Sequence, residues 1–351
     1  MLSLLWKKVH DMIHLSTLTK RLTQFLTLAL FFGFAAVAQA QWDIMQFGGR
    51  DYVSLDSIKK FYNFQTYKRS GNQIVLEGGN LIFKLRIGDQ ESTLNGIKFV
   101  LTYPVIESGA KTAISRIDLT KLIHPVLRPN YILNAGNFRT VVIDAGHGGK
   151  DAGAVNAYNT EKAYNLRVAQ EVQKLLTAKG YRVLLTRSSD VYLTLQQRVD
   201  IANSLKEPAI FISIHFNSGG RSARGIETFT LSPQGVAHYG SGLKPSDLNA
   251  RNGNINDSAN VALATAVHSQ VLKNIGRNNT FDRGIKRARF SVLTGVRHPA
   301  ILLEGGFMSH PYEAQLMENP KYMSAVARGV ANAVILYKSA VSYRKPAARA
   351  Q

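Results

Sequence analysis

Residues 140–154 read TVVIDAGHGGKDAGA, and they place one histidine among four glycines directly after an apolar run. Three kinds of site fit such a segment: a phosphate cradle, a metal site, or a tight turn without chemistry. A P-loop needs serine or threonine after its Gly-Lys pair, whereas Asp151 follows Gly149 and Lys150 here. A carboxylate at that position repels phosphate, so the segment disfavours nucleotide binding.

The metal interpretation gains support from two later apolar runs that also carry metal-binding side chains. His215 ends FISIH, and Glu304 lies within AILLEGGF. Ligands of open α/β sheets bind beyond the carboxyl ends of the strands, so these residues and His147 are expected at one end of a sheet. Glu161, at a helix start, faces the same end. Two histidines and a carboxylate form a common catalytic zinc set, and a further carboxylate can act as base on the zinc-bound water.

A structural role without chemistry remains an alternative for most of these residues. A histidine at a strand end is often structural, and Glu161 in a first helical turn can simply complement the helix dipole. Glu304 is harder to dismiss, because a carboxylate between apolar residues and glycines must be paired or functional. Asp144, also inside an apolar strand, is predicted to play a supporting role, as acceptor for a ligand histidine or as partner of nearby backbone amides.

Composition and the N-terminus narrow the class of partner. The chain of 351 residues has a net charge of +20, which favours an anionic partner, and it has no cysteine, so a metal must be held by His, Asp or Glu. Lys7, Lys8, Lys20 and Arg21 precede FLTLALFFGFAAVA and a small-x-small site ending at Ala40. This pattern predicts a signal peptide over residues 1–40, with an uncleaved anchor as the alternative. Export to the periplasm or cell envelope argues against nucleic acid and for an envelope polymer or anionic lipid.

The elements that must position the candidate site alternate between strand and helix from residue 139 onward. Apolar strands are predicted at TVVIDAG, YRVLLTR, AIFISIHFN and AILLEGGF, with amphipathic helices between them. This alternation predicts an α/β fold with a mostly parallel sheet flanked by helices. Residues 41–127 read instead as short β-rich pieces with strand-to-helix units, so a small β-rich α+β domain is expected there. Residues 128–138 are predicted to be a linker, 139–338 the catalytic domain and 339–351 a basic tail.

Several motifs together carry a family resemblance. VVIDAGHGGKDAGAV, TEKAYNLRVAQEVQKLL, LLTR, FISIHFNS, RGIKRARFSVL and PAILLEGGFMSHPYE occur in that order. In this respect residues 139–338 resemble the zinc-dependent N-acetylmuramoyl-L-alanine amidase family. Residues 41–127 are similar, in pattern only, to the copper-amine-oxidase N-terminal-like domain, without any copper ligand cluster. Ala145 and Ala152 depart from the prolines frequent in the amidase family, and neither position is a proposed ligand.

The resemblance implies roles for individual residues. One Zn²⁺ per catalytic domain would be held by His147, Glu161 and His215, and Glu304 would act on the activated water. The implied reaction is hydrolysis of the amide between N-acetylmuramic acid and the L-alanine of the stem peptide in peptidoglycan. Two alternatives remain at this point: a zinc peptidase acting within the stem peptide, and a wall-binding module without activity. A monomer is expected, with an unidentified protein activator left open.

Further candidates are less specific. Arg283, Lys286 and Arg289 are predicted to precede a strand leading to the site, where they would receive carboxylates of the stem peptide; a solvated basic face is the alternative. The Gly/Asn-rich segment 239–257 is a candidate substrate rim. His268, His298 and His310 are expected to be structural or surface residues. Residues 41–127 are expected to bind the wall or a partner.

Overall fold

The structure is a computed structural model that describes residues 42–342 except 134, 136, 137 and 278. The predicted signal peptide and most of the predicted basic tail lie outside the described residues. From Ile44 onward, the described residues belong to one compact unit. None of the helices in this described part has the length and apolarity that crossing a membrane requires.

The main sheet has eleven strands, in the order β11-β10-β12-β15-β13-β14-β7-β6-β5-β4-β3. The four strands at one edge of this sheet are the predicted apolar strands: β10 (Thr140–Ala145), β11 (Arg182–Leu185), β12 (Ala209–Asn217) and β15 (Ala300–Phe307). These four strands are mutually parallel, with β10 between β11 and β12. Every residue of β10 is buried, because helices cover both faces of the sheet.

The predicted α/β part of the sheet is mostly parallel, as expected, and has one antiparallel pair beyond β15. β13 (Ile226–Leu231) pairs antiparallel with β15, and β14 (Asp282–Ala288) pairs parallel with β13. The basic residues of DRGIKRA therefore form a strand themselves, instead of preceding one. The reversal also means that β13 and β14 end at the opposite end of the sheet from β10, β12 and β15. We call the end where β10 and β12 finish the site end, and the opposite one the far end.

Helices α2 (Glu161–Thr177), α4 (Asp257–Ile275) and α7 (Pro320–Ser342) pack together on one face, with α6 (Pro311–Glu318) beside α7. On the other face, α3 (Leu195–Asn203) and α5 (Ser291–Gly295) pack on a core that includes Val142, Phe211 and Leu302. Thr194 and Gln197 form a capping box at the start of α3. Thr160 is the N-cap of α2, although its side chain makes no capping hydrogen bond.

The N-terminal region is β-rich, as predicted, and helical only in short pieces. β1 (Ile44–Phe47), β2 (Arg50–Ser54), β8 (Ile106–Ser108) and β9 (Lys111–Ser115) form a separate small sheet beside α1 (Leu55–Phe61). β3 (Thr66–Ser70), β4 (Gln73–Gly78), β5 (Leu81–Arg86), β6 (Glu91–Leu94) and β7 (Ile97–Val100) form an antiparallel meander. β7 joins the main sheet by pairing with β14, Phe99 opposite Ile285. The predicted domain boundary stays a prediction, and the sheet itself runs across it.

Candidate metal centre and active site

Three residues that are distant in sequence meet at the site end. The ligand atoms of His147, Glu161 and His215 all lie within 4.8 Å of one another. His147 Nε2 lies 3.1 Å from Glu161 Oε2, and His215 Nδ1 lies 2.8 Å from Glu161 Oε1. The two imidazole rings stand nearly perpendicular, with centroids 5.0 Å apart. The carboxylate of Glu161 thus lies between two imidazoles, each presenting one ring nitrogen to it.

Two glycines make room for this approach. A Cβ on Gly146 would lie 2.3 Å from the His215 ring, and one on Gly153 would lie 2.5 Å from Glu161 Oε2. His147 itself has a φ of 60°, a left-handed conformation that is uncommon outside glycine. The turn after β10 is therefore shaped around the three side chains, which answers why a histidine stands among glycines in this segment.

A set of polar neighbours orients the three side chains. His147 Nδ1 lies 2.8 Å from Asp151 Oδ2, so that carboxylate can hold the Nδ1–H and turn Nε2 toward Glu161. Glu161 accepts hydrogen bonds from the backbone N–H of Ala154 and of Phe216. The amide of Asn165 donates to Glu161 and to the carbonyl of Gly146. Sequence reasoning missed Asp151, although its place four residues after His147 in the same motif was a usable signal.

The electrostatics of this group favour a cation. Burial alone would raise the pKa of Glu161, but hydrogen bonds from His147 and His215 hold it below its usual range. Burial alone would lower the pKa of His147, whereas Glu161 and Asp151 raise it. Two imidazole nitrogens and a carboxylate at these separations match the donor set of a catalytic zinc site, with a position left for water. The residues present therefore fit a zinc ion.

Asp144 supports the turn in a way that the sequence did not reveal. Its buried carboxylate accepts hydrogen bonds from Thr186 and Ser213, and it pairs with Arg198 at 2.7 Å. Among the described residues its partners include neither a ligand histidine nor a backbone amide, so both partners expected from the sequence were wrong. Arg198 in turn donates to the carbonyls of Ala145 and His147.

A second buried arginine, Arg187, also binds carbonyls of this turn, and we call Arg187 and Arg198 together the clamp. Arg187 donates to the carbonyls of Ala145, Gly146 and Lys162. Both arginines are 3% exposed. Together they satisfy the carbonyls of the glycine-rich turn and fix its path, which explains how a turn rich in glycine holds a ligand in place. The arginine in LLTR and the arginine on the inner face of α3 were the only sequence signals.

A row of polar side chains crosses the sheet on one face at the site end. His215 of β12 is opposite Glu304 of β15, and Glu304 is opposite Glu227 of β13. Bulges adjoin this row on both sides: β15 has Gly305 and Gly306 where β12 has Phe216 alone, and β14 has two residues where β13 has Glu227. Glu304 is thereby placed one strand from a zinc-ligand candidate.

Glu304 has no countercharge among the described residues, and its Oε2 is buried without a hydrogen-bond partner there. Glu313 also has no ion pair within that part of the chain, but its carboxylate accepts hydrogen bonds from the backbone N–H of Gly225 and Phe307. Burial raises the pKa of Glu304 well above the usual value, and the nearby carboxylates of Glu161 and Glu227 raise it further. An unsatisfied buried carboxylate is costly, so its presence points to a group that works on a ligand.

The three basic candidates separate into two groups. Lys286 is buried and pairs with Glu227 at 2.7 Å, and Arg283 Nε also contacts Glu227. Both therefore lie beside the polar row, although the burial of Lys286 leaves it no access to a peptide. Arg289 lies at the far end, where it pairs with Asp247 and donates to backbone carbonyls. Its predicted contact with substrate was wrong, because the reversal of β13 and β14 carries it away from the site.

The segment 239–257 follows the far end of β13, and Arg289 ties its short helix Pro245–Leu248 to the strand there. Its first residue lies nearer the polar row, because the ring centroid of Tyr239 is 4.6 Å from Lys286 Nζ. The role of the segment as a substrate rim stays a prediction. Of the remaining histidines, His268 is fully buried between Thr228 and Asp282, and His298 and His310 contact backbone groups.

Comparisons with known proteins show which family the sequence resembles. A family model described as N-acetylmuramoyl-L-alanine amidase matches residues 141–335. The uncharacterized protein YqiI of Bacillus subtilis (strain 168) is 34% identical over 57% of this chain and 84% of that protein. The N-acetylmuramoyl-L-alanine amidase AmiA of Escherichia coli (strain K12) is 30% identical over 66% of this chain and 86% of that protein.

A solved structure is also similar: the catalytic domain of CwlV, an N-acetylmuramoyl-L-alanine amidase from Bacillus (Paenibacillus) polymyxa var. colistinus. It is 34% identical, with a TM-score of 0.47, over 57% of this chain and 98% of that chain. The family model spans more than half of the sequence and includes all four residues of the candidate centre. The chain therefore belongs to the N-acetylmuramoyl-L-alanine amidase family, and it is an enzyme of that class acting on peptidoglycan.

Proposed function

We propose that the protein hydrolyses the amide between N-acetylmuramic acid and L-alanine with one zinc ion held by His147, Glu161 and His215. The observation that supports this most is the convergence of those three side chains next to a buried carboxylate, Glu304, that lacks a partner. When bound, the zinc ion supplies polarisation of the scissile carbonyl and a lowered pKa for its water.

The chain's own residues supply the proton transfers and the alignment. Glu304 takes a proton from the attacking water, whose oxygen bonds to the carbonyl carbon. It then delivers that proton to the alanine nitrogen as the carbon–nitrogen bond breaks, so one group serves as base and then as acid. Asp151 orients the His147 ring, and the clamp of Arg187 and Arg198 keeps the turn from shifting during the reaction.

Digestion of purified peptidoglycan tests this function. The zinc-loaded protein should release intact stem peptides that begin with L-alanine and leave glycan without peptide, as shown by the masses of both products. A chelator should stop the release, and added Zn²⁺ should restore it. A stem-peptide peptidase would instead leave L-alanine attached to the glycan. Binding to peptidoglycan without any release would favour a wall-binding module.

We also propose that the protein works in the cell envelope after export, with cleavage after Ala40, and that its N-terminal region contributes to wall binding. The motifs in residues 1–40 and the positive charge support the location. N-terminal sequencing of exported protein should begin at Gln41. Lys84 and Arg86, exposed on β5, offer a test of wall binding in the whole chain. Replacing both with glutamine should weaken sedimentation with peptidoglycan while soluble muropeptides are still cleaved.

A further inference from the structure

The polar row continues beyond Glu227 to a side chain that is fixed and still open to solvent. Arg283 contacts Glu227 through Nε, and its guanidinium carbon lies 4.8 Å from the centroid of the Phe307 ring. Its side chain is 36% exposed. Among the described residues, neither Nη atom of Arg283 has a hydrogen-bond partner in the protein. One edge of the guanidinium is therefore held in place while the other remains available to a ligand.

Backbone geometry shows that this placement is built into the fold. Between the pairs Ile226–Asp282 and Thr228–Ile285, β13 has one residue and β14 has two. The extra residue is Gly284, whose φ of 89° favours glycine. A bulge of this kind re-aims a side chain next to a site, and here the residue before Gly284 is directed at Glu227.

The charges around Glu227 leave one positive charge available to a ligand. Glu227 faces two cations, Lys286 and Arg283, and Lys286 alone is enough to neutralise it. Glu313 is another carboxylate near Arg283, but it accepts hydrogen bonds from the backbone N–H of Gly225 and Phe307. Within the described part of the chain, Glu313 forms no ion pair with Arg283. The surplus positive charge favours an anion, and the planar fork of arginine suits a carboxylate.

Distance decides which carboxylate of a substrate fits. Arg283 is two strands from Glu304, about 10 Å at the backbone with a strand spacing of about 4.8 Å, and its side chain extends back toward the site. An extended peptide advances about 3.3–3.6 Å per residue. The second residue beyond the scissile carbonyl therefore lies at about 7 Å, within reach of the open guanidinium edge.

We propose that Arg283 binds a carboxylate on the second residue of the stem peptide and so selects substrates in which that carboxylate is free. The proposal rests on the amidase function proposed above and names the substrate feature that the same site recognises. Amidation of this carboxyl group removes the charge and one acceptor, so an amidated peptide is a poor ligand. The preferred substrate is therefore an acidic peptide whose negative charge lies close to the cleaved bond.

Two matched peptides test the proposal: L-alanyl-γ-D-glutamyl-L-lysine and the same peptide with the α-carboxyl group of glutamate as a carboxamide. Calorimetry on the zinc-loaded whole chain should show about 10–100-fold tighter binding of the acid, the range for a charged hydrogen-bonded contact. Arg283→Gln should reduce the ratio to less than about threefold, and Arg283→Lys should give an intermediate value. Arg224→Gln is the matched control, because Arg224 is exposed and stacks on Phe281 without contacting Glu227.

Turnover of the corresponding muramoyl peptides separates this proposal from the reaction itself. Arg283→Gln should raise KM for the acid with little change in kcat, since the contact is equal in ground and transition states. Equal affinity of the original protein for acid and amide would overturn the carboxylate anchor, as would a preference that survives Arg283→Gln. A protein that prefers the acid peptide but cleaves neither muramoyl peptide would support the anchor and overturn the amidase reaction.

Discussion

The two ends of the sheet both contain buried charges, but they differ in whether every such charge has a countercharge. At the far end each buried charge has a countercharge: Arg287 pairs with Asp118 at 3.0 Å, and Arg289 pairs with Asp247 at 2.7 Å. At the site end Glu304 has none within the described residues, and two imidazoles converge on Glu161. Paired charges join segments of chain, whereas an unpaired carboxylate beside a donor set marks a place prepared for a ligand. The number of charges alone would not distinguish the two ends.

The largest loss of zinc content and turnover is expected when a ligand candidate at the site end is removed. His215→Ala takes away one of three donors, so zinc content should fall and turnover should drop by about 10⁴-fold or more, because carbonyl polarisation and water activation are lost together. Elemental analysis and muropeptide hydrolysis measure the two effects. His268→Gln is the control: it removes a buried histidine that contacts Thr228 and Asp282, and it should lower stability without changing zinc content. Full zinc content in His215→Ala would contradict the assignment.

Glu304→Gln should give the next largest effect and sharpen the comparison between neighbouring acids. The change keeps the shape and removes the base, so kcat should fall about 10²–10⁴-fold with zinc still bound. The melting temperature should not fall, because a buried carboxylate without a countercharge is replaced by a neutral group. Glu227→Gln, on the adjacent strand, should lower the melting temperature, since it leaves Lys286 and Arg283 without their carboxylate. An active, zinc-loaded Glu304→Gln protein would exclude Glu304 as the base.

Arg289→Met tests the far end. It leaves Asp247, which is 4% exposed, without a countercharge and frees the carbonyls that Arg289 satisfies. Leaving these acceptors without their donor should lower the free energy of unfolding by about 1–3 kcal/mol. Chemical denaturation measures this loss, and turnover per folded molecule should be unchanged. Loss of turnover in a stable protein would show that the far end also acts in the reaction.

The smallest of these effects is expected for Asp151, which contacts the zinc-ligand candidate His147 and is not itself a ligand candidate. Asp151→Ala removes the group that holds His147 Nδ1, so zinc affinity should fall about 10–100-fold, as is typical for such partners. Competition with a chromogenic chelator measures the affinity. Asp190→Ala is the matched control, since Asp190 contacts Gly149 and Lys162 near the same turn without touching the histidine. Equal losses in both variants would assign Asp151 to the turn rather than to His147.

The sequence predicted the site end well and the far end poorly. The apolar strands and the residues that follow them placed His147, His215 and Glu304 at one end, because parallel strands share a direction. Strand direction beyond β15 has no local signature: Ile226–Leu231 reads the same in either orientation, and only pairing with β15 reveals the reversal. That single unknown misplaced Arg289. The clamp of Arg187 and Arg198 was equally hidden, because its partners are backbone carbonyls, which all residues share.

The pairing of β7 with β14 has a consequence for handling the protein. Phe99 lies opposite Ile285, and the backbone N–H of Lys98 donates to Asp282, so the N-terminal meander covers the outer side of β14. A fragment cut to the family-matched residues would expose β14 as an open strand edge with unpaired backbone groups. Such edges recruit other chains, so this fragment should aggregate where the whole chain does not. We therefore expect the meander to protect the catalytic sheet of this amidase from self-association.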